Sequence, residues 1–373
     1  MPTRTGRLPG HAPIWIAIAV LYVVWGSTYL GIAIAVQTIP PFLMAAARFL
    51  LAGVVLLTWC WIREGRAFQW PTMREWRDSA IIGSLLLGGG MGMVAFGEQS
   101  VPSGIAALMV AMMPVWVAIL GRIFLGIRLP RLAIAGIVIG FVGVLILIGP
   151  TLSGDANGFD AIGLAALVVS PIAWSSGSLF SAQRATLPRQ PLVATGAQMV
   201  LGAATLALMA ALAGEFGAFD PGAISVDSMI AFGYLTIAGS LVAFTAYGYL
   251  LRVAPLPLVS TYAYVNPVVA VILGALVLHE PIAPATAVAG VIIVVAVALL
   301  VTARGRMRSA RADDPSTEYD TEPGRDPGDQ RQHQPERPGP GIAVDEPAIG
   351  QMPQPERHGP QQPDGYESDH ETS

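Results

Sequence analysis

The chain has 373 residues, of which 53% are hydrophobic and only 12% are charged, and its formal net charge is −4. Soluble domains average about 25% charged residues, so this composition excludes an ordinary soluble protein over most of the chain. All 21 basic residues are arginine and Cys60 is the single cysteine. Chemistry based on a Schiff-base or phosphate-loop lysine, an internal disulfide and a cysteine-rich metal site are therefore excluded.

Ten apolar runs follow one another along the chain, each about as long as the roughly 20 residues that a helix needs to cross a bilayer. Backbone polar groups in hydrocarbon must be satisfied internally, which favours helices. The sequence thus predicts an all-α integral membrane protein with ten transmembrane helices, at residues 13–36, 41–61, 79–98, 103–124, 131–149, 159–181, 192–213, 227–249, 256–277 and 284–302.

Arginine is distributed asymmetrically between the predicted loops. The loops after the second, fourth, sixth and eighth helices and the two terminal segments hold nearly all arginines, whereas the loops after the odd-numbered helices hold none. Because positive charge is retained on the cytoplasmic side, both termini are expected in the cytoplasm of a multi-pass protein of the cell (plasma) membrane.

The ends of the chain differ from its apolar part. Residues 1–12 are polar and are expected to form a cytoplasmic N-terminus. The first 302 residues carry 13 arginines against 10 acidic residues, but residues 303–373 carry 8 against 15. That last segment, rich in Pro, Gln, Asp, Glu and Gly, has too little apolar surface to fold, so a disordered cytoplasmic tail is expected.

An internal repeat relates the two halves, 13–150 and 159–302. With an offset of 149 or 153 residues, the following pairs coincide: Trp25 with Trp174, Gly53 with Gly202, Pro102 with Pro255, Pro114 with Pro267, and Gly121 with Gly274. Each half would contain five helices. Because five is odd, the halves would enter the membrane in opposite directions, as inverted repeats, which are typical of secondary transporters.

Three segments also resemble a known family. They are WGSTYLGIAIAVQTIPPFLMAAARFLLAGVVLL (25–57), EQSVPSGIAALMVAMMPVWVAILG (98–121) and YVNPVVAVILGALVLHEPI (264–282). The chain resembles, over about residues 14–302, the EamA family of the drug/metabolite transporter superfamily. This resemblance implies a basket of ten helices around a central cavity lined mainly by helices 1, 3, 4, 6, 8 and 9. It also implies export of small metabolites or drugs, commonly amino acids or related compounds.

One departure from the family pattern concerns a Gly-Glu pair that often follows the fourth helix of each half. The second half has His279 and Glu280 at this place, but the first half has Gly126 and Ile127. A role that needs two symmetric carboxylates is therefore not expected.

Polar and aromatic residues near the middle of helices 1, 4, 6 and 9 are the candidates for a substrate cavity. Hydroxyl, amide and aromatic groups in an apolar wall suit mid-sized, partly apolar solutes. An alternative is that they serve helix packing or the interfacial aromatic belt. The candidates are Trp25, Ser27, Thr28, Tyr29, Met113, Trp116, Trp174, Ser175, Tyr262, Tyr264 and Asn266.

Three charged residues near or within the spans are candidates for gating or coupling: Arg48, Glu98 and Glu280. Arg48 lies about 10 Å along helix 2, on the side where helix 3 ends at Glu98, so an ion pair between them is geometrically possible. Such a pair could be an outer gate or a fixed structural contact. Alternatively, Arg48 could hold a substrate carboxylate, and Glu98 or Glu280 could couple transport to protons.

These features together predict a secondary-active exporter of small, amino-acid-like metabolites or drugs that works by alternating access. Import or exchange of another metabolite such as a sugar derivative, a non-transporting scaffold, and an intramembrane enzyme remain as alternatives. Neither cofactor nor metal is expected, nor a nucleic-acid partner. The expected partners are a small-molecule substrate and the lipid bilayer. The aliphatic helices 5 and 10 also offer a surface through which two copies of the chain could form a homodimer.

Overall fold

The computed structural model describes residues 11–152, 159–254, 256–259 and 261–312, and in these ranges it contains helices and turns but no strand. Nine helices are long and apolar enough to cross a membrane, and a tenth apolar helix is shorter. They are α1 (Ala12–Ala35), α2 (Pro41–Ala67), α3 (Met73–Gly97), α4 (Ser103–Leu125), α5 (Arg131–Pro150), α6 (Ala161–Gln183), α7 (Pro191–Leu212), α8 (Val226–Tyr247), α9 (Tyr262–Val277) and α10 (Pro284–Thr302). The predicted all-helical membrane fold is confirmed.

Two helix boundaries differ from the prediction. The ninth span is divided into a short helix, Leu256–Val259, and α9. The last helix continues past residue 302 to Ala312, so the segment expected to be disordered begins with helical turns. The remainder of that predicted tail, and residues 1–10 of the predicted N-terminal segment 1–12, lie outside the described residues.

The helices pack mainly across the two halves of the chain. α2 packs along α7, and α5 packs along α10; α3 contacts α6 and α7, whereas α8 contacts α1 and α2; α4 contacts α6 and α9, and α9 contacts α1. Exchanging each helix for its counterpart five places along the chain maps this set of contacts onto itself. The two five-helix units are therefore arranged with an approximate two-fold relation. α5 and α10, the aliphatic helices considered for a homodimer, pack against each other and keep exposed apolar residues on their other faces.

Glycines allow the closest helix contacts, as is common where membrane helices cross. A Cβ added at Gly83 in α3 would lie 2.3 Å from the backbone oxygen of Gln198 in α7, and one at Gly202 would lie 2.8 Å from the oxygen of Gly83. The glycine-dense segment 83–97 therefore allows tight helix packing. Its glycines face α7 and α6 in turn.

Three stretches depart from α-helical geometry and form wider π-helix: Leu21–Trp25 in α1, Ser84–Gly92 in α3 and Leu235–Val242 in α8. α4 is also interrupted, by a turn between Val110 and Met113. π-Helical turns shift the helix register and occur frequently at functional sites. These irregular stretches all lie near mid-span, at a similar depth in the helix bundle.

The close contact at Gly83 gives a testable consequence. Gly83→Ala is expected to destabilise the protein by about 1–3 kcal/mol, because the methyl group would force α3 and α7 apart. The measurement is the midpoint of thermal unfolding of the detergent-solubilised protein, monitored by size-exclusion chromatography after heating. Gly233→Ala in α8 is the matched control, since a Cβ there meets nothing within 4 Å. Equal midpoints for the two variants would contradict the proposed packing role.

Candidate functional site: a central cavity between the two halves

A small cavity of about 80 Å³ lies among α1, α2, α3, α4, α6, α8 and α9. Seven of the sequence candidates line it: Trp25, Thr28, Tyr29, Met113, Trp174, Tyr262 and Asn266. The predicted candidate Arg48 also lines it, together with Phe49, Met91, Val94, Val110, Ser170 and Phe244. Residues from both five-helix units therefore form one site, and α2 contributes to it in addition to the helices implied by the family resemblance.

Trp25 is the centre of the aromatic part of this wall. Its ring makes edge contacts with Phe244 and Tyr262, with centroids 5.4 and 5.1 Å apart, and a tilted contact with Tyr247 at 5.3 Å. The Trp25 indole N–H lies 3.4 Å from the carbonyl oxygen of Gly239, in the π-helical stretch of α8. The aromatic wall is therefore held by edge-to-face packing between α1, α8 and α9.

Four of the predicted cavity residues lie outside the lining, and each has another role. The Ser27 hydroxyl bonds to that of Tyr234 at 2.5 Å and to its own helix. Trp116 packs edge-on against Phe141, with centroids 5.7 Å apart. Ser175 donates to the Met113 carbonyl oxygen at 3.0 Å, and Tyr264 packs against the apolar core. These contacts are of the kind that the helix-packing alternative describes.

Sequence reasoning missed several lining residues for an identifiable reason. Ser170 lies one helical turn before Trp174, so regular helical spacing could have found it. Met91 and Val94 lie in or just after the π-helical stretch of α3. There the usual periodicity does not apply, so the sequence carried no signal that these two side chains face the cavity.

Arg48 is 3% exposed, and its Nε–H donates to the Ser240 hydroxyl at 2.8 Å. Its guanidinium carbon also lies 4.8 Å from the centre of the Phe49 ring. Within the described residues, the ion pair is that of Arg77 with Asp78, at 2.9 Å, so Arg48 does not pair with Glu98. The ion pair considered from the sequence is absent, because Arg48 extends toward α8 instead.

Glu98 is also buried, with 6% exposure, at the end of α3. Neither of its carboxyl oxygens accepts a well-formed hydrogen bond from the described residues, although the Ala33 backbone N–H faces it. Its electrostatic neighbours are Glu280 and the cavity residue Tyr29. Glu98 thus lies beyond the cavity, toward the loops without arginine.

Glu280 is fully engaged in binding the beginning of α4. Its two carboxylate oxygens accept hydrogen bonds from the Ser103 backbone N–H at 2.8 Å, the Ser103 hydroxyl at 3.1 Å and the Gly104 N–H at 3.3 Å. A negative charge at a helix N-terminus is favourable because the first backbone N–H groups lack partners. The preceding residue, His279, has a positive φ of 54°.

We call the side of the bundle with the loops that lack arginine the arginine-poor face. At this face the two five-helix units are connected by hydrogen bonds. Besides Glu280, Glu215 accepts hydrogen bonds from the backbone N–H groups of Phe42 and Leu43 at 3.2 and 2.8 Å. The Ser225 N–H donates to Thr38 at 3.1 Å, and Ser100 donates to Asp160 at 3.2 Å. These contacts close the bundle at that face.

At the opposite, arginine-rich ends of the helices, the Thr186 N–H donates to Asp78 at 2.8 Å, and nearer mid-span Tyr22 bonds to Thr261. A second cavity, of about 180 Å³, lies there between α4 and α6, bordered by Leu120, Phe124, Phe180 and Arg184. The same two helices border the central cavity through Met113 and Trp174.

A helical membrane bundle with a central cavity built by two related units has the architecture of a membrane transporter. Two segments, residues 13–149 and 161–302, each match the EamA-like transporter family. The chain belongs to this family, and it is a multi-pass membrane transporter.

Relatives with transporter names agree with this assignment. The chain is 39% identical to the uncharacterized inner membrane transporter YedA of Escherichia coli K12, over 70% of this chain and 82% of that protein. It is 22% identical to the uncharacterized transporter YvbV of Bacillus subtilis, over 79% and 93% of the two chains. It is 23% identical to the WAT1-related chloroplastic protein At3g02690 of Arabidopsis thaliana, over 77% and 69%.

A crystal structure described simply as that of a protein is similar in fold. It matches with a TM-score of 0.54 and 22% sequence identity, over 79% of this chain and 99% of the solved chain. This likeness supports the helical architecture described above.

The buried carboxylate of Glu215 gives a prediction of pH dependence. Burial raises the pKa of the Glu215 carboxyl above its ordinary value of 4.5, although the hydrogen bonds from Leu43 and Phe42 act in the opposite direction. The folded state then favours the protonated form, so this group contributes stability that is complete below pH 4.5 and is lost as the pH rises through the raised pKa. The wild type should lose thermal stability relative to Glu215→Gln from pH 4.5 to 7.

Asp227→Asn, which changes an exposed carboxylate near the same face, is the control for Glu215→Gln. Thermal midpoints of the three proteins in identical detergent would be compared at each pH. A wild type that gains stability over Glu215→Gln as the pH rises would show that the two N–H bonds outweigh burial.

Proposed function

We propose that this transporter is a secondary-active exporter of small organic metabolites, amino-acid-like compounds or drugs, located in the cell membrane with both termini in the cytoplasm. The single observation that carries the proposal is the central cavity that both five-helix units line. A site at the junction of two related units can be exposed to either side of the membrane when the units rock against each other.

The size and closure of the cavity support alternating access. A volume of about 80 Å³ holds a few water molecules rather than a metabolite, so the helices must separate to admit a substrate. The arginine-poor face, which the positive-inside rule assigns to the outside, is closed by Glu215, Glu280, Ser225 and Ser100. In this proposal the structure represents a state that is closed toward the outside, and the substrate enters the cavity from the cytoplasmic side.

A comparison of two tryptophans tests the proposal. Trp25→Ala should reduce export at least about tenfold, because it removes the aromatic wall of the site, whereas Trp116→Ala should keep most of the activity. Untargeted mass spectrometry of the culture medium would compare cells with wild type, each variant at equal membrane level, and empty vector. Media that do not differ between wild type and empty vector would contradict export.

We further propose that Glu98 is the carboxyl group through which a proton gradient acts on the outer gate. It is buried and weakly hydrogen-bonded, and its electrostatic neighbours are the cavity residue Tyr29 and the loop carboxylate Glu280; Glu280 itself is hydrogen-bonded to the beginning of α4. A carboxyl group in such a site can change its contacts on protonation without breaking a fixed pair.

Glu98→Gln is therefore expected to keep the fold but to lose the dependence of efflux on the pH gradient. Efflux would be measured from preloaded cells, with and without a protonophore, using the metabolite found in the export experiment. Asp227→Asn, an exposed acid near the same face, should behave as the wild type. An unchanged response of Glu98→Gln to the protonophore would remove Glu98 from the coupling mechanism.

A further inference from the structure

Arg48 is a buried cation in the cavity wall that has no counter-ion within the chain as described. Among the described residues no carboxylate lies within ion-pair distance, and its one hydrogen bond is that of Nε–H to Ser240. A guanidinium carries five N–H donors, so most of its hydrogen-bonding capacity remains unused. The ring of Phe49 compensates the charge in part.

A buried charge without a partner is expensive, all the more within a bilayer. Such a group is stabilised when an anion binds, and a guanidinium binds a carboxylate through two parallel hydrogen bonds. Arg48 lines the cavity. The missing anion can therefore arrive with the substrate.

The charge balance of the cavity indicates the net charge of that substrate. Among the described residues that line the cavity, Arg48 is the charged one. It can therefore neutralise one negative charge on a bound substrate, but the lining offers no partner for a second charge of either sign. Nucleotide-linked or phosphorylated compounds carry more negative charge than this site can neutralise. A zwitterion would place its ammonium group opposite no carboxylate.

The rest of the wall indicates the body of the substrate. Trp25, Trp174, Tyr262 and Phe244 present aromatic surfaces, and Met91 and Met113 add flexible apolar ones. A flat apolar group fits between such side chains better than a polyhydroxylated one, since each buried hydroxyl needs a hydrogen-bonding partner.

We propose that the substrate is a monoanionic organic carboxylate with an apolar, preferably aromatic, body, and that Arg48 binds its carboxylate. This inference rests on the proposed transport function and narrows its substrate range. Two neighbours in the π-helical stretch of α8 position the guanidinium. Ser240 accepts from Nε, and Gly239 leaves space for Nη2, which would lie 3.0 Å from an added Cβ.

The test measures equilibrium binding by titration calorimetry on the purified full-length protein in lipid nanodiscs. The probes are 3-phenylpropionate, its neutral isostere 3-phenylpropionamide, and phenylalanine. The carboxylate should bind at least about tenfold more tightly than the amide, as expected for a hydrogen-bonded charge pair. It should also bind more tightly than phenylalanine. An amide or an amino acid that binds as tightly as 3-phenylpropionate, or a carboxylate that does not bind, would overturn the proposal.

Variants then assign the effect to Arg48. Arg48→Gln should remove the preference for the carboxylate over the amide, Arg48→Lys should keep part of it, and Ser240→Ala should weaken it a few-fold. Arg122→Gln, which changes an exposed arginine in α4, should leave it unchanged. A preference that survives in Arg48→Gln would overturn the assignment, and the comparison of probes on the wild type needs no variant to fold.

Failure of this inference and failure of the transport function are distinguishable. Cells that export a neutral metabolite through a protein that does not bind 3-phenylpropionate would refute the carboxylate site and retain transport. Carboxylate binding that depends on Arg48, in a protein with which cells export nothing, would support the site and refute export.

Discussion

Hydrocarbon offers no hydrogen bonds, and this constraint decides where the chain can place each polar group. The backbone satisfies itself in helices, and the helix ends that meet between the two units are capped by carboxylates from the opposite unit, Glu215 on α2 and Glu280 on α4. Against this background, three buried side chains near the cavity have unused hydrogen-bonding capacity. The guanidinium of Arg48 makes one hydrogen bond, and the carboxyl of Glu98 and the side-chain oxygen of Asn266 have no partner among the described residues. The Ser79 hydroxyl and the Gln190 side-chain oxygen, near the beginnings of α3 and α7, also lack a partner there. Arg48 and Asn266 line the cavity, and Glu98 lies just beyond it.

The irregular stretches of helix are concentrated at the same place. Trp25 ends one π-helical stretch, Met91 lies in the second, and Ser240 and Gly239, which hold Arg48 and Trp25, lie in the third. Regular helices with small residues, such as α2 along α7 near Gly53, provide the rigid parts of each unit. A transporter needs both properties, because rigid pairs must move as bodies while the helix centres adapt to the substrate.

Cross-unit contacts are also divided unequally between the two faces. At the arginine-poor face, several backbone N–H groups donate to carboxylate or hydroxyl oxygens of the opposite unit, whereas among the described residues the other face has the bond from the Thr186 N–H to Asp78 and lies beside the second cavity. In the proposed alternating-access cycle, opening the arginine-poor face would break the Glu215 and Glu280 caps together, which would give the loops after α7 and α9 a mechanical role.

The sequence by itself determined the class of protein, the approximate positions of ten helices and the family. These depend on the length of apolar runs, on arginine in alternate loops and on local motifs such as Trp25 to Tyr29, all of which are properties of short segments. It also indicated Trp25, Trp174, Tyr262 and Asn266 as cavity residues, because they lie near mid-span and recur between the halves or beside Pro267.

Only the tertiary structure decided which polar groups meet. Helical periodicity cannot locate π-helical stretches, so Met91 and Val94 were missed, and Ser27, Trp116, Ser175 and Tyr264 were assigned to a cavity from which packing separates them. Depth in the membrane suggested that Arg48 and Glu98 could pair, but depth does not fix the direction in which a long side chain extends. In the folded bundle α8 packs beside α2, so Arg48 bonds to Ser240 and its guanidinium lines the cavity. The sequence could not show this contact, because the two residues are almost 200 positions apart.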